Sequence, residues 1–365
     1  MTKKEKEILE IIRANPTVEQ SEIADALNIS RSTVAVHISS LQRQGFLLGK
    51  GYIVNDEDYI VGIGACNIDI YGTSDVKIRT HYDHPGKIVS NIGGVMHNII
   101  RNYTKLSGKA KLITAYGDDG FGRIIADRLR SENIDMNDSL MVKDCSSGVF
   151  MQVQDENNDM YLAICDMTVI SHLTPEYIEE KKNVITRSRL VVLDPSLPLE
   201  TIEKIIEICR DKVEIYVDPI SENYAHKIKP YLSDLSFIKP NLTELSALSG
   251  MKIDTEEHIK EACRKVLETG LKSILVSRGK DGVIYMDNDV CIARSLPEEK
   301  HPVNMSGAGD GLMAAFIYGQ VSGESMERSI DLGLASGIAA IRSKETINDD
   351  LSVELLDKIL KEKRK

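Results

Sequence analysis

Short apolar runs recur along the chain at 59–65, 111–115, 189–193, 213–217, 235–238 and 273–277, and helix-patterned stretches lie between most of them. This alternation restricts the possible folds more than any other feature. Apolar runs without a polar face are strands covered on both sides. Strands that alternate with helices build a mostly parallel sheet between helical layers, an α/β architecture. One block breaks the rhythm. Residues 146–165, SSGVFMQVQDENNDMYLAIC, hold two strands joined by a polar turn, and Ile68–Tyr82 is near them in topology, so a small separate sheet is expected there.

The first 55 residues follow a different plan. Ile8, Leu9, Ile11 and Ile12 mark one face of a helix over 4–14, and Ile23, Ala24 and Leu27 mark a second over 19–27. Ser30 is placed to cap a third helix that runs to about Gln44, with Val34, Ile38 and Leu41 as its inward stripe and Gly45 as its stop. Phe46–Val54 reads as two short strands around Gly49-Lys50-Gly51. Three helices and a β-wing in so few residues form a winged helix-turn-helix plan, and ISRSTVAVHISSLQRQGFLLGKGYIV resembles the recognition helix and wing of bacterial regulators. Arg31, Ser32, Arg43 and the wing-tip Lys50 are then the candidate contacts to double-stranded DNA. The polar joint Asn55-Asp56-Glu57-Asp58 leads into the second pattern, which gives domains of 1–55 and 56–365. A packing module that does not bind DNA is the alternative for residues 1–55.

Charge agrees with this division. Seven Lys and Arg against six Asp and Glu give residues 1–50 a charge of +1, which leaves −12 for the rest of a chain whose net charge is −11. A chain this acidic does not coat nucleic acid along its length. Its six cysteines form no C-x-x-C pair and no zinc spacing with histidine, so they are expected to be reduced thiols. The N-terminus MTKKEKEILE is charged at once, with no apolar stretch behind it, and no apolar run approaches the ~20 residues of a membrane span, so a cytoplasmic protein without a membrane partner is expected.

The chemistry concentrates in a few short motifs. Gly307-Ala308-Gly309-Asp310 precedes LMAAFIYGQV, a helix whose N-terminal N–H groups and dipole suit an anion. An Asp at that mouth can accept a hydroxyl proton while the N–H groups hold phosphoryl oxygens. On its own the tetrapeptide fits a turn and helix cap equally well. Gly93-Gly94 allow close backbone approach, Asn98 follows one turn into the next helix, and Asn67 and Asp69 leave the first strand with an amide and a carboxylate suited to a ribose diol. Asn241 and Glu244 share one face at a helix start and could hold a water-coordinated Mg²⁺. Each of these alone is more often an ordinary turn or cap. The chain has no G-x-x-x-x-G-K-[ST], since Gly279-Lys280 is followed by Asp281, and no G-x-G-x-x-G. Phosphate-binding folds built on those loops are thereby excluded.

Taken together, GG-x-x-x-N at 93–98 and N-x-x-G-A-G-D at 304–310 resemble the two signatures of the ribokinase-like (PfkB) kinases, over residues 59 to about 350. The stretches GACNIDIYG, HPGKIVSNIGGVMHNI, AICDM, IKPNLTELSALSG, VSRGKDGV and NMSGAGDGLMA are similar to the pseudouridine kinases of that family. The resemblance implies a ribokinase-like α/β sandwich of nine strands or a similar number with a small β-lid, and transfer of phosphate from ATP to a nucleoside or sugar hydroxyl, pseudouridine first. It implies Asp310 as the base and Gly307, Ala308 and Gly309 as the anion hole. Asn241, Ser277, Gly279 and Gly282 would bind nucleotide, with Asn241 and Glu244 at Mg²⁺. Asn67, Asp69, Gly93, Gly94, Asn98 and Asp166 would bind substrate. It also implies a homodimer joined through the lids. Met96-His97 before Asn98 departs from the pseudouridine kinases, and Asn304-Met305 replaces the Asp-Thr of many members, which leaves substrate choice and the family's monovalent-cation site open. Two alternatives remain at this point: another ribokinase-like sugar or nucleoside kinase, or a transcriptional regulator whose kinase-like body senses ligand.

Overall fold

The computed structural model describes residues 1–48, 58–156, 159–300, 302–304 and 306–364. The chain divides into two compact units, Met1–Asp58 and Tyr59–Lys365.

In the first unit, Lys3–Ala14, Gln20–Leu27 and Arg31–Arg43 are helices. Each start is fixed locally. Thr2 and Glu5 form a reciprocal capping box on the first helix, and Ser30 Oγ accepts from the Thr33 N–H at 3.1 Å on the third. Gly45 ends the third helix with φ 73°, a left-handed conformation that glycine adopts without steric cost. Ile8, Ile12, Ile23, Val34, Ile38 and Leu41 are buried together as one core. Of the expected hairpin, Leu47 enters a bridge, while its turn, including Lys50, lies outside the described residues.

The second unit is built on an eight-stranded sheet. Its order is 291–294, 283–287, 273–277, 237–238, 214–217, 190–193, 60–63, 110–113. The strands from 273–277 to 110–113 are parallel, and the two at the far edge are antiparallel. Every apolar run expected to be a strand is one. Alternate residues of a single strand enter different cores: Val191 and Leu193 pack with Ile202 and Ile205 of the helix Leu199–Cys209. Leu190 and Val192 pack on the opposite face with Phe316 of the helix Ala308–Val321. Phe316 stacks on Phe237 at 4.8 Å between ring centroids. Two covered faces explain why these strands show no polar alternation.

A four-stranded sheet stands apart, in the order 86–93, 67–74, 149–154, 160–166. The expected small sheet therefore exists, with one strand more than the sequence suggested. Gly86–Gly93 reads as a turn-rich segment, yet it pairs antiparallel with Asn67–Ser74 along its whole length. Both outer strands are largely exposed, so neither has the buried face that makes a strand recognisable. Among the described residues the main sheet has eight strands, in line with the nine or similar number that the resemblance implied. No helix among the described residues is long and apolar enough to cross a membrane. Of the six free cysteines, Cys66, Cys209 and Cys263 are buried, whereas Cys165 and Cys291 are exposed.

Candidate active site

Asp194, Asp218, Lys239 to Asn241 and Ser277 follow or end four consecutive parallel strands at their carboxyl ends. In open α/β sheets that edge is where ligands bind. Asp194 serves the fold there, accepting from the Ala65 N–H at 2.9 Å and the Ser196 N–H at 2.8 Å. The other residues surround the start of the helix Ala308–Val321.

Gly307 is the N-cap of that helix at φ 77°, and a Cβ on it would collide with the Thr346 carbonyl. Asp310 lies in the first turn, half-buried. Asn98 Nδ2 donates to its Oδ2 at 2.8 Å. Burial, and then the charge of Asp218, raise the Asp310 pKa from 3.8 to about 7, against the opposing effects of the Asn98 hydrogen bond and Lys239. A carboxylate near pH 7 is matched to taking a proton at neutral pH.

Lys239 is the cation of this group. It is buried and pairs with buried Asp218 at 2.9 Å. Burial is the largest single influence and works against its charge, but Asp218, Glu244 and Asp310 together outweigh it and raise the Lys239 pKa, holding the ammonium protonated. A Cβ placed on Gly309 would stand 3.4 Å from Lys239 Nζ, so the ammonium lies directly against the glycine turn. Neither Lys239 nor Asp218 stood out in the sequence as a site residue. The available signal was a charged residue immediately after an apolar strand, in EIYVD and SFIK.

In the four-stranded sheet, Asn67 Nδ2 donates to Asp69 Oδ1 at 2.6 Å and the Tyr71 hydroxyl to Asp69 Oδ2 at 3.3 Å. Burial raises the Asp69 pKa against both bonds. Asp69 is opposite Asn91 in the sheet, and the Gly93 backbone lies so close to the Asp69 carboxylate that a Cβ there would collide with it. Gly94 caps the next helix at φ 97°, and a Cβ on it would stand 2.5 Å from the Ala65 carbonyl. The two glycines thus let the lid strand, Asp69 and the Asn98 helix meet. Asp166, by contrast, is exposed at the end of the outer strand, where its carboxylate accepts from the Thr168 N–H at 3.0 Å and the Thr168 hydroxyl at 2.7 Å.

Asn241 and Glu244 form a capping box on the helix Leu242–Ser249. Asn241 Oδ1 accepts from the Glu244 N–H at 2.9 Å, while Glu244 accepts from the Asn241 N–H at 2.9 Å and from its Nδ2 at 2.8 Å. Cap and site coincide here. Glu244 is buried, and burial followed by the charge of Asp218 raises its pKa. Ser277 bridges to Asn241, and Gly279 and Gly282 turn the chain just beyond it at φ 59° and 80°. No cluster of three or more potential metal ligands occurs among the described residues. A carboxylate excess around a single ammonium, with Glu244 already a cap, fits a cation that keeps its waters and arrives with phosphates.

In the first unit, Arg31, Ser32 and Arg43 are exposed on the third helix. The Ser32 hydroxyl shares a hydrogen bond with that of Ser30 at 2.8 Å. Val36 on the same helix is 65% exposed.

Comparison with known proteins agrees with both units. The profile of pfkB family carbohydrate kinases matches residues 57–353, and a winged helix-turn-helix DNA-binding profile matches residues 1–47. An uncharacterized sugar kinase of Escherichia coli K12, YeiI, is 31% identical over 97% of this chain and 98% of its own. The pseudouridine kinase of the same organism is 29% identical over 82% of this chain and 96% of its own. Arabidopsis thaliana ribokinase, solved with ribose and ATP, superposes with a TM-score of 0.74 at 22% identity, covering 83% of this chain and 99% of that one.

Proposed function

The chain belongs to the pfkB family of carbohydrate kinases, and from that premise we propose that it transfers the terminal phosphoryl group of ATP to the 5′-hydroxyl of pseudouridine. The observation that carries the reading is Asp310: a half-buried carboxylate, its pKa raised to about 7, at a glycine-rich helix N-terminus and tied to Asn98.

The residues divide the work. Asp310 takes the proton of the attacking hydroxyl. The N–H groups at Gly307, Ala308 and Gly309, together with Lys239, meet the negative charge of the transferring group. Asp69, Asn67 and Asn98 hold the ribose diol, so that the primary hydroxyl faces Asp310. Asn241, Ser277, Gly279 and Gly282 line the nucleotide. Mg²⁺ would be held through water by Asn241 and Glu244, and when bound it neutralises charge on the phosphate oxygens. The pseudouridine kinase likeness at 29% identity supports the nucleoside over a free sugar. Asp166, exposed on the lid, is the candidate base contact, reaching substrate when the lid covers it.

We propose further that the first unit binds double-stranded DNA, supported by the match of residues 1–47 to the winged-helix profile. The lid supports a homodimer: Ile88, Met160 and Ile164 on its outer strands are 79%, 64% and 58% exposed. Apolar residues on unprotected sheet edges favour a partner.

The test is phosphate transfer from ATP-Mg²⁺ to pseudouridine, uridine, inosine, ribose and fructose phosphates, with the product identified by mass spectrometry. Pseudouridine should give the highest kcat/KM. Equal turnover of uridine, or a marked preference for ribose, refutes the pseudouridine reading and leaves the kinase intact.

A further inference from the structure

The helix Val95–Lys105 carries a second polar residue that the reading above leaves unused. His97 is 1% exposed. Its Nδ1 lies 3.1 Å from Asn98 Oδ1, and Asn98 Nδ2 lies 2.8 Å from Asp310 Oδ2. Chemistry fixes the direction of this chain. In the ionised form in which it acts as a base, the Asp310 carboxylate can only accept, so it faces the amide nitrogen. The other end of the amide, Oδ1, also can only accept, so the proton of the His97 contact is on Nδ1. Burial, and then the Arg101 guanidinium, lower the His97 pKa to about 3. The ring is therefore neutral, with its one proton on Nδ1 and with Nε2 bare. Nε2 has no hydrogen-bond partner among the described residues. Arg101 and Arg128 act on the ring, and with His97 and Glu345 they line a cavity of about 260 Å³. The charged groups around Asp310 are Asp218, Lys239 and Asp69.

We propose that His97 is a positioning residue for Asp310, holding the Asn98 amide with its nitrogen toward the carboxylate. A side-chain amide turned by half a rotation has nearly the same shape but opposite polarity. Turned that way, Asn98 would set an oxygen against Asp310 and leave the base unheld. The Nδ1–H of His97 opposes that orientation, because it would then meet an NH₂ group, and the other tautomer would place a proton on buried Nε2, which has no partner among the described residues. This inference rests on Asp310 being the base of the proposed phosphotransfer.

Two measurements test it. In the full chain labelled with ¹⁵N-histidine, one of eight histidines is assigned to position 97 by its loss in His97→Asn. It should be neutral with Nδ1 protonated, and an Nε2-protonated or cationic ring would overturn the proposal. In kinetics, His97→Asn places an amide nitrogen where Nδ1 was, His97→Gln moves it toward the Nε2 position, and His97→Phe removes it. His97→Asn should keep kcat within about threefold of the parent, while His97→Gln and His97→Phe lose about tenfold, the worth of one neutral hydrogen bond, with KM for ATP unchanged. A His97→Gln enzyme as active as His97→Asn, or equal losses in both, would overturn the positioning role. If the parent transfers no phosphate, the proposed function fails, and the tautomer measurement still decides the relay.

Discussion

Replacing Asp310 with Asn should push activity and stability in opposite directions, and the two effects should diverge as pH rises. The side chain keeps its size and its place beside Asn98 but can no longer take a proton, so kcat should fall by about 10²–10⁴-fold. Stability moves the other way because the site destabilises the charge it uses. The Asp310 pKa is 3.8 in its ordinary state and about 7 when folded. A carboxyl whose pKa is raised on folding is protonated in both states below about pH 4 and costs nothing there. Between pH 4 and 7 the unfolded chain has lost the proton and the folded one retains it, so the parent loses stability progressively as pH rises. Above pH 7 the loss is complete. At about 1.4 kcal/mol per pH unit the full shift corresponds to about 4 kcal/mol, and the part of the side chain still open to water reduces this to about 2. The neutral Asn avoids that cost. Asp310→Asn should therefore unfold with the parent at pH 4.5 and a few degrees above it at pH 8. The assay pairs ADP release with thermal unfolding at the two pH values. A variant that turns over within a few-fold of the parent refutes the base. A stability gain equal at both pH values refutes the buried charge as its source.

Asp69→Ala removes a charged acceptor worth roughly 1.5–3 kcal/mol, so KM for the nucleoside should rise about 10- to 100-fold while KM for ATP changes little; steady-state titration of each substrate separates the two. Gly94→Ala forces a Cβ onto φ 97° and to 2.5 Å from the Ala65 carbonyl; it should cost more than about 1 kcal/mol by denaturant unfolding and lower kcat by disturbing Asn98, and a neutral substitution would show that the lid joint is not tight. The Arg31→Ala, Arg43→Ala double variant should lose salt-sensitive binding to a pseudo-palindrome in the protein's own upstream DNA while keeping kinase activity. Fluorescence anisotropy across salt concentrations measures this, with about 0.9 in log–log slope per phosphate contact, and unchanged binding would reduce residues 1–55 to a packing module.

Much of the fold was legible because buried parallel strands announce themselves. VVL at 191–193 and ILV at 274–276 can be little else between helical stretches. Gly86–Gly93 was not legible, because a strand exposed on both faces has no hydrophobic period and its pairing with Asn67–Ser74 is a tertiary fact. The site divides in the same way. Asp310, Asn98, Asp69 and the glycines stood out only in combination: each alone fits an ordinary turn or cap, and it is their joint spacing that resembles the two family signatures. Lys239 and Asp218 were silent, since a charged residue after a strand usually marks nothing more than the surface. Only the parallel order of 214–217, 237–238 and 273–277 brings them to one edge and buries them as a pair. Asn241 and Glu244 show the opposite ambiguity: the spacing that suggested a metal site is also a capping box, and the structure contains the box.

The charge arrangement explains why one site can hold this chemistry without unfolding. Asp218, Glu244 and Asp310 are three carboxylates drawn together around one ammonium, Lys239, in a poorly solvated edge of the sheet, and the charge of Asp69 also acts on Asp310. The charge of Asp218 raises the proton affinity of Asp310 and of Glu244, and Asp69 adds to the effect on Asp310, so the protein reduces its own charge by keeping Asp310 partly protonated near neutrality. In the proposed reaction, a cation held near Glu244 would bring positive charge to these carboxylates while the negative phosphates would be met by the Gly307–Gly309 N–H groups and Lys239, so the expected net effect is to favour ionised Asp310. The base would thus be released to its active form by the arrival of the second substrate. The measurable consequence is linkage: ATP-Mg²⁺ binding below pH 7 should release protons, a release visible as a buffer-dependent binding enthalpy and reduced in Asp310→Asn. A proton count near zero in the parent would mean that Asp310 is already ionised before the nucleotide binds.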